Sequence, residues 1–407
     1  MLPFLRMIYF KFYMAALSAI LLLWLGMPAF AQQSIKVDEA YIFPFQEQHV
    51  HASSLVELPN GDWLVAWFQG SGERTADDVR IMGARKSAAT DQWSAPFLLA
   101  DSPQIPDCNP VIFLNKDNKL FLVWIAVLAN KWEQSILKIR STMDYEQEGP
   151  PVWQWQDNIF LKPNDDFQKQ VAEAFEEMPP SGAGWAEYAQ SYEDQIIQAS
   201  ADPAKRSIGW MTRIKPLLME GQRMVLPLYS DGYNFSMMAL SEDGGETWTP
   251  SSPLVGRGPI QPALAMRSDG SILALMRDSG DSPERIHQSI SRDKGQSWSP
   301  STKTAIPNTA SVELLSYDDT HWFLLCNDIT DGRYQLSLYL SKDQGVSWED
   351  HLQLEYDPDH KDRYSYPSLI KGKDGKLHMT YSCHLAGGQK SIKYRVIDPQ
   401  IQPRKDR

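Results

Sequence analysis

The sequence predicts an all-β protein, a six-bladed β-propeller with one short helical insertion. Three observations carry that expectation. A box of the form Ser-x-Asp-x-Gly-x-x-Trp occupies residues 241–248, 291–298 and 341–348, its starts 50 residues apart. A second pattern, two short apolar runs joined by a Gly-containing turn, recurs around Asn60-Gly61, Asp269-Gly270 and Asp374-Gly375. Such periods of several short strands mark propeller blades. The length fits as well, because about 376 residues minus one insertion suit six blades at this spacing.

Along the chain, Arg6 and Lys11 precede an apolar run from about Met14 to Leu25, and an Ala-x-Ala ending closes at Ala31. This is the pattern of a secretory signal peptide over residues 1–31, with residues 32–407 as one propeller domain. The run is short of the ~20 residues that a membrane span needs. The mature protein is therefore expected to be periplasmic or secreted, without stable membrane insertion. The first hairpin pairs residues 53–58 with 63–68 across an Asn-Gly turn. Asn118 and Gly221 mark two further turns, each just before an apolar run. Residues 162–206 break the β pattern. They are polar and acidic, with Asp165-Asp166 placed to cap a helix ending near Glu177 and a second helical stretch from Trp185 to Ala201. Such an insertion is either a lid over a pocket or a solvated decoration.

The box itself reads as a turn device. Its Asp offers acceptors to backbone N–H groups across the turn, its Gly supplies a positive φ, and its Trp packs beneath. Three copies argue for structure, since one active site does not need its residues in triplicate.

Composition excludes other classes. The formal charge is −12, and removal of residues 1–31 takes two basic side chains and deepens it to −14. An acidic chain repels phosphate, so no nucleic-acid partner is expected. Cys108, Cys326 and Cys383 are too few for a disulfide framework. No C-x-x-C or H-E-x-x-H occurs, so no metal or other cofactor is signalled.

The repeated box resembles the Asp-box, or BNR repeat, of the sialidase (neuraminidase) superfamily, and most of the mature chain is similar to the bacterial branch described as predicted neuraminidases. The resemblance implies a six-bladed propeller with an axial pocket acting on glycans. It implies arginines that grip a substrate carboxylate through bidentate forks, a Tyr nucleophile, and an Asp acid/base. Carried over by position, Arg277 and Arg333 match two substrate-binding arginines. Tyr366 fits the nucleophile, with Tyr364 as the alternative. Asp77 or Asp78 matches the acid/base. Where the family places its first arginine this chain has His51, and where it places the Glu partner of the tyrosine it has Gln261. Glu313 is a candidate carboxylate from the next blade. Three functions fit this set: an exo-sialidase-like hydrolase that removes a terminal acidic sugar, a polysaccharide lyase acting on uronates through His51, Tyr366 and Arg277, and a non-catalytic glycan-binding propeller.

Overall fold

Short apolar runs bounded by turn residues fold here into six antiparallel sheets. The computed structural model describes residues 37–181 and 186–399; the proposed signal peptide lies outside them. Blade 1 comprises His49–Glu57, Trp63–Gly70, Arg80–Lys86 and Phe97–Ala100. Blade 2 comprises Asp107–Leu114, Leu120–Val127, Ser135–Thr142 and Trp155–Asn158. In blade 3 two short pieces, Met211–Thr212 and Leu217–Leu218, share the inner position beside Met224–Ser230, followed by Phe235–Ser241 and Thr249–Pro250. Blade 4 is built from Pro259–Met266, Ile272–Asp278, Arg285–Ser291 and Thr302–Pro307. Blade 5 is built from Glu313–Ser316, Trp322–Cys326, Gln335–Ser341 and Glu349–Tyr356. Blade 6 takes Arg363–Lys371, Leu377–His384 and Lys390–Ile397 from the end of the chain and its outer strand, Val37–Tyr41, from the beginning. That pairing closes the ring.

The second strands of the blades are covered on both faces by neighbouring blades. Leu120–Val127 is accordingly buried at every position and reads as a continuous apolar run rather than an alternating one. The turns at Gly61, Asn118, Gly221, Gly270 and Gly375 each join an inner strand to a second strand, as their sequences predict.

Each Asp-box lies between the third and fourth strands of blades 3, 4 and 5. In the first box Asp243 Oδ1 accepts from the N–H groups of Glu246 and Thr247, at 3.1 and 2.9 Å, and Ser241 Oγ accepts from Gly245 N at 2.9 Å. Trp248 Nε1 donates to Gly245 O at 3.2 Å. The glycines show why the box is so constrained. A Cβ on Gly245 (φ +101°) would sit 2.7 Å from Met224 Cε and 3.0 Å from Phe121 of blade 2. A Cβ on Gly295 would meet Val225 of blade 3, and one on Gly345 would meet Leu273 of blade 4. Every box therefore seats its glycine on the preceding blade. The boxes are joints between blades, and none of their residues lines the axial cavity.

Three α-helices are present among the described residues: α1 (Phe167–Glu176), α2 (Ala186–Ser200) and α3 (Pro203–Ser207). Asp166 precedes α1 but makes no side-chain cap; Asn164 Oδ1 accepts from Asp166 N instead. Phe167, Val171 and Phe175 of α1 and Ile196 of α2 join the core of blades 2 and 3, and Arg257 anchors Glu193 of α2 at 2.7 Å. None of these helical residues lines the axial cavity. The three cysteines are buried, and no disulfide joins them.

Candidate active site

The inner strands of four blades break register at the same level. The breaks fall between His51 and Ser54, Cys108 and Val111, Ile260 and Ala263, and Ser365 and Ser368. Within each break one non-glycine residue takes a left-handed backbone: Ala52 (φ +56°), Asn109 (+49°), Gln261 (+57°) and Tyr366 (+56°). Proline follows in three of them, as Pro110, Pro262 and Pro367. A proline cannot donate to the ladder, so it suits a bulge within a strand. The bulge redirects side chains from the sheet toward the axis, and Asn109, Gln261 and Tyr366 all enter one cavity there of about 570 Å³.

Tyr366 is at its centre, 9% exposed. Gln261 Nε2 and Arg277 Nη1 both donate to its phenol oxygen at 3.2 Å. The Arg333 guanidinium stands 5.1 Å from the ring centroid, and the His51 ring 4.1 Å. Burial alone would raise the phenol pKa. The positive charges of Arg277 and Arg333 and the Gln261 amide reverse this, so the phenol ionises below the ordinary tyrosine range, against the opposing charge of Glu73. Arg277 Nε and Gln261 Oε1 are buried with no hydrogen-bond partner among the described residues.

His51, 5% exposed, bonds through Nδ1 to Ser382 Oγ at 2.8 Å. Burial, with His384 and Arg333 nearby, holds its pKa well below the ordinary range, so the imidazole is neutral. His384 donates from Nε2 to Val50 O at 2.7 Å, and burial brings it to about 4 despite that bond. His51 thus lines the cavity with an uncharged ring.

The structure brings together Tyr366, His51, Gln261, Arg277 and Arg333, and places four other expected positions outside the cavity. Asp78 does not enter the cavity: it is exposed, and both of its oxygens accept from Ser71 N at 3.1 Å, closing the loop on itself. Asp77 is also exposed and outside the cavity, its Oδ1 accepting from Asn130 Nδ2 at 3.0 Å. Tyr364, two residues before the bulge, stays on the sheet, and its hydroxyl donates to Asp362 at 3.3 Å. Glu313 does not line the cavity either; it is buried, 3.4 Å from Lys215 Nζ.

Two carboxylates that sequence reasoning passed over do line the cavity, Glu73 and Asp231. Glu73 belongs to the loop that Asp78 closes. It meets His49 Nε2 at 3.2 Å, and this bond, against burial, keeps its carboxyl below the usual range. Asp231 stands at the turn between Met224–Ser230 and Phe235–Ser241. Asp231 is itself exposed, yet desolvation by the protein around it raises its carboxyl above the usual range, against the pull of Arg277 and Arg74. Asn109 donates to Tyr229 Oη at 3.1 Å across the cavity floor. The recurring x-Pro of the inner strands was the signal that could have found Asn109. The two carboxylates carry no comparable mark.

The BNR repeat-like domain family matches residues 61–163 and 191–379. The chain belongs to that family. This BNR repeat-like chain is a sialidase-like, six-bladed propeller by fold. It superposes on a protein of unknown function from Dyadobacter fermentans with a TM-score of 0.64 at 12% identity, covering 90% of this chain and 99% of the other. It superposes on the NanB sialidase of Streptococcus pneumoniae at 0.62 and 12%, covering 88% and 70%. For the intramolecular trans-sialidase of Ruminococcus gnavus the values are 0.60 and 14%, covering 87% and 96%. No curated protein matches it by sequence. Among the described residues, no group of three or more His, Cys, Asp or Glu is arranged to hold a metal, and no helix is long and apolar enough to cross a membrane.

Proposed function

We propose that the chain is an exported, sialidase-like glycoside hydrolase that removes a terminal acidic sugar from glycans. The observation that carries this reading is the phenol oxygen of Tyr366, held by two donors at 3.2 Å in a cavity lined by arginines. An anionic sugar repels a carboxylate nucleophile, and a phenol avoids that repulsion. A phenol normally needs a base, and here Gln261 cannot take its proton. The guanidinium charges serve instead, by lowering the cost of ionisation.

Arg277 and Arg333 grip the sugar carboxylate. The Tyr366 phenolate, its proton already lost to solvent, attacks the anomeric carbon as the bond to the leaving oxygen breaks, and Asp231, its carboxyl raised, gives that oxygen a proton. Water then releases the sugar from Tyr366, and Asp231 takes the proton of the water. The raised carboxyl of Asp231 and the lowered one of Glu73 separate the two groups into acid and non-acid. Glu73 keeps His49 oriented. Incubation with sialylated and uronate-capped glycans, followed by analysis of released sugar, tests the reading. Arg277→Ala is expected to lose release; unchanged release would remove the assignment.

One observation favours a lyase. His51 is neutral and adjacent to Tyr366, as a base for the proton α to a uronate carboxylate must be. An unsaturated, ultraviolet-absorbing product would identify that reaction. Export through cleavage after Ala31 predicts a secreted chain starting at Gln32, readable by mass.

A further inference from the structure

Beneath the cavity, and outside it, lies a charged cluster that the mechanism above does not use. Arg213 is 1% exposed. It sits in the interruption between the two inner pieces of blade 3. Its guanidinium carbon is 5.0 Å from the Tyr366 ring centroid. Its Nη2 donates to Pro367 O at 2.8 Å and its Nη1 to Ser53 O at 3.4 Å. Pro367 directly follows the left-handed Tyr366, and Ser53 directly follows the left-handed Ala52. One side chain from blade 3 therefore clamps the bulges of blades 6 and 1.

The charges beneath the phenol do not cancel. Lys215 Nζ reaches Glu313 Oε2 at 3.4 Å, Ser368 Oγ at 3.0 Å and Leu369 O at 3.4 Å. Glu313 is the carboxylate that meets both cations, as an ion pair with Lys215 and through its field at Arg213. One buried cation, Arg213, and one partly exposed cation, Lys215, thus face one carboxylate. An uncompensated buried charge is costly, and it persists in a fold where something gains from it.

We propose that Arg213 is a positioning residue that clamps the Tyr366 bulge and supplies buried positive charge for the ionised phenol to balance. Arg213 does not line the cavity, so it acts on substrate only through Tyr366. The other charged or titratable groups around that ring are Arg277, Arg333, His51, Tyr229 and Glu73. The proposal rests on the nucleophile reading of Tyr366, but its test needs no substrate.

The Tyr366 phenol is followed by NMR in protein labelled with 13C-ζ tyrosine, its signal assigned by loss in Tyr366→Phe. Arg213→Met is expected to move the ionisation midpoint up by about one pH unit, a tenfold change in the ionisation constant. Arg213→Lys keeps the charge and is expected to move it less. Glu313→Gln removes the opposing carboxylate and is expected to move the midpoint down, and it keeps the test open if Arg213→Met does not fold. A midpoint that stays in place in folded Arg213→Met, or in Glu313→Gln, overturns the proposal. A shifted midpoint in a protein that cleaves no glycan upholds it and rejects only the hydrolase reading.

Discussion

A single left-handed residue decides how the axial cavity works. With Tyr366 at φ +56°, its phenol points to Gln261 and Arg277, whereas Tyr364, two positions earlier, is spent on Asp362. Strand periodicity cannot separate these two tyrosines, because both belong to the same face until the bulge intervenes. Pro367 was the local mark of that bulge. Asp77 and Asp78 stay outside the cavity for a comparable reason. They are the anchors of the loop of residues 71–78, and Glu73 is the residue that the closed loop turns inward. The sequence names the loop but not its direction. Two predictions belong at this scale. Asp231→Asn is expected to lower the cleavage rate by about 10²–10⁴ and to remove the alkaline limb of the pH–rate profile, while Glu73→Gln leaves that limb in place. Steady-state rates across pH check both. His384 predicts a stability effect. Unfolded, it takes a proton near 6.5; folded, it resists to about 4. Its contribution is complete above pH 6.5 and is lost as pH falls through that window, to a total of at most about 3 kcal/mol. Urea unfolding of His384→Gln is expected to show a flatter pH dependence than the parent chain between pH 6.5 and 4.

At the scale of the element, the Asp-box is a joint. The Asp243 carboxylate would be raised by burial, yet bonds from Thr247, Ser241 and Glu246 bring it to about 2. Asp243→Ala leaves those donors without their acceptor and is expected to cost about 1–3 kcal/mol. Gly345→Ala forces a Cβ to within 2.6 Å of Leu273 at a positive φ and is expected to cost at least as much. In both variants the cleavage rate of the folded fraction should match the parent, because the boxes stay outside the cavity. Chemical denaturation beside an activity assay separates the two effects. Box and hairpin positions were legible because each depends on a local turn. The split inner strand of blade 3 was not. It arises from Arg213 and Lys215 turning inward to meet residues more than 90 positions away.

Over the whole molecule, an acidic chain encloses a cationic cavity. The formal charge is −12, yet Arg277, Arg333 and Arg363 line the axis. Under the proposed function, an anionic sugar would be repelled by the molecule at large and attracted by these arginines at short range. Raising ionic strength from about 0.05 to 0.5 M is expected to raise KM for an acidic glycan more than for its methyl ester, with kcat little changed. The ring closes by pairing Val37–Tyr41 with Lys390–Ile397, which holds blade 6, and with it Tyr366, beside blade 1 and His51. We propose that this closed axis is a catalytic centre with Tyr366 as its nucleophile. The most direct test is mass spectrometry of the protein after rapid quenching with a 2-fluoro acidic sugar, which slows release of a covalent intermediate. A sugar adduct on Tyr366, lost in Tyr366→Phe, is the predicted result; glycan cleavage that persists in Tyr366→Phe would contradict it.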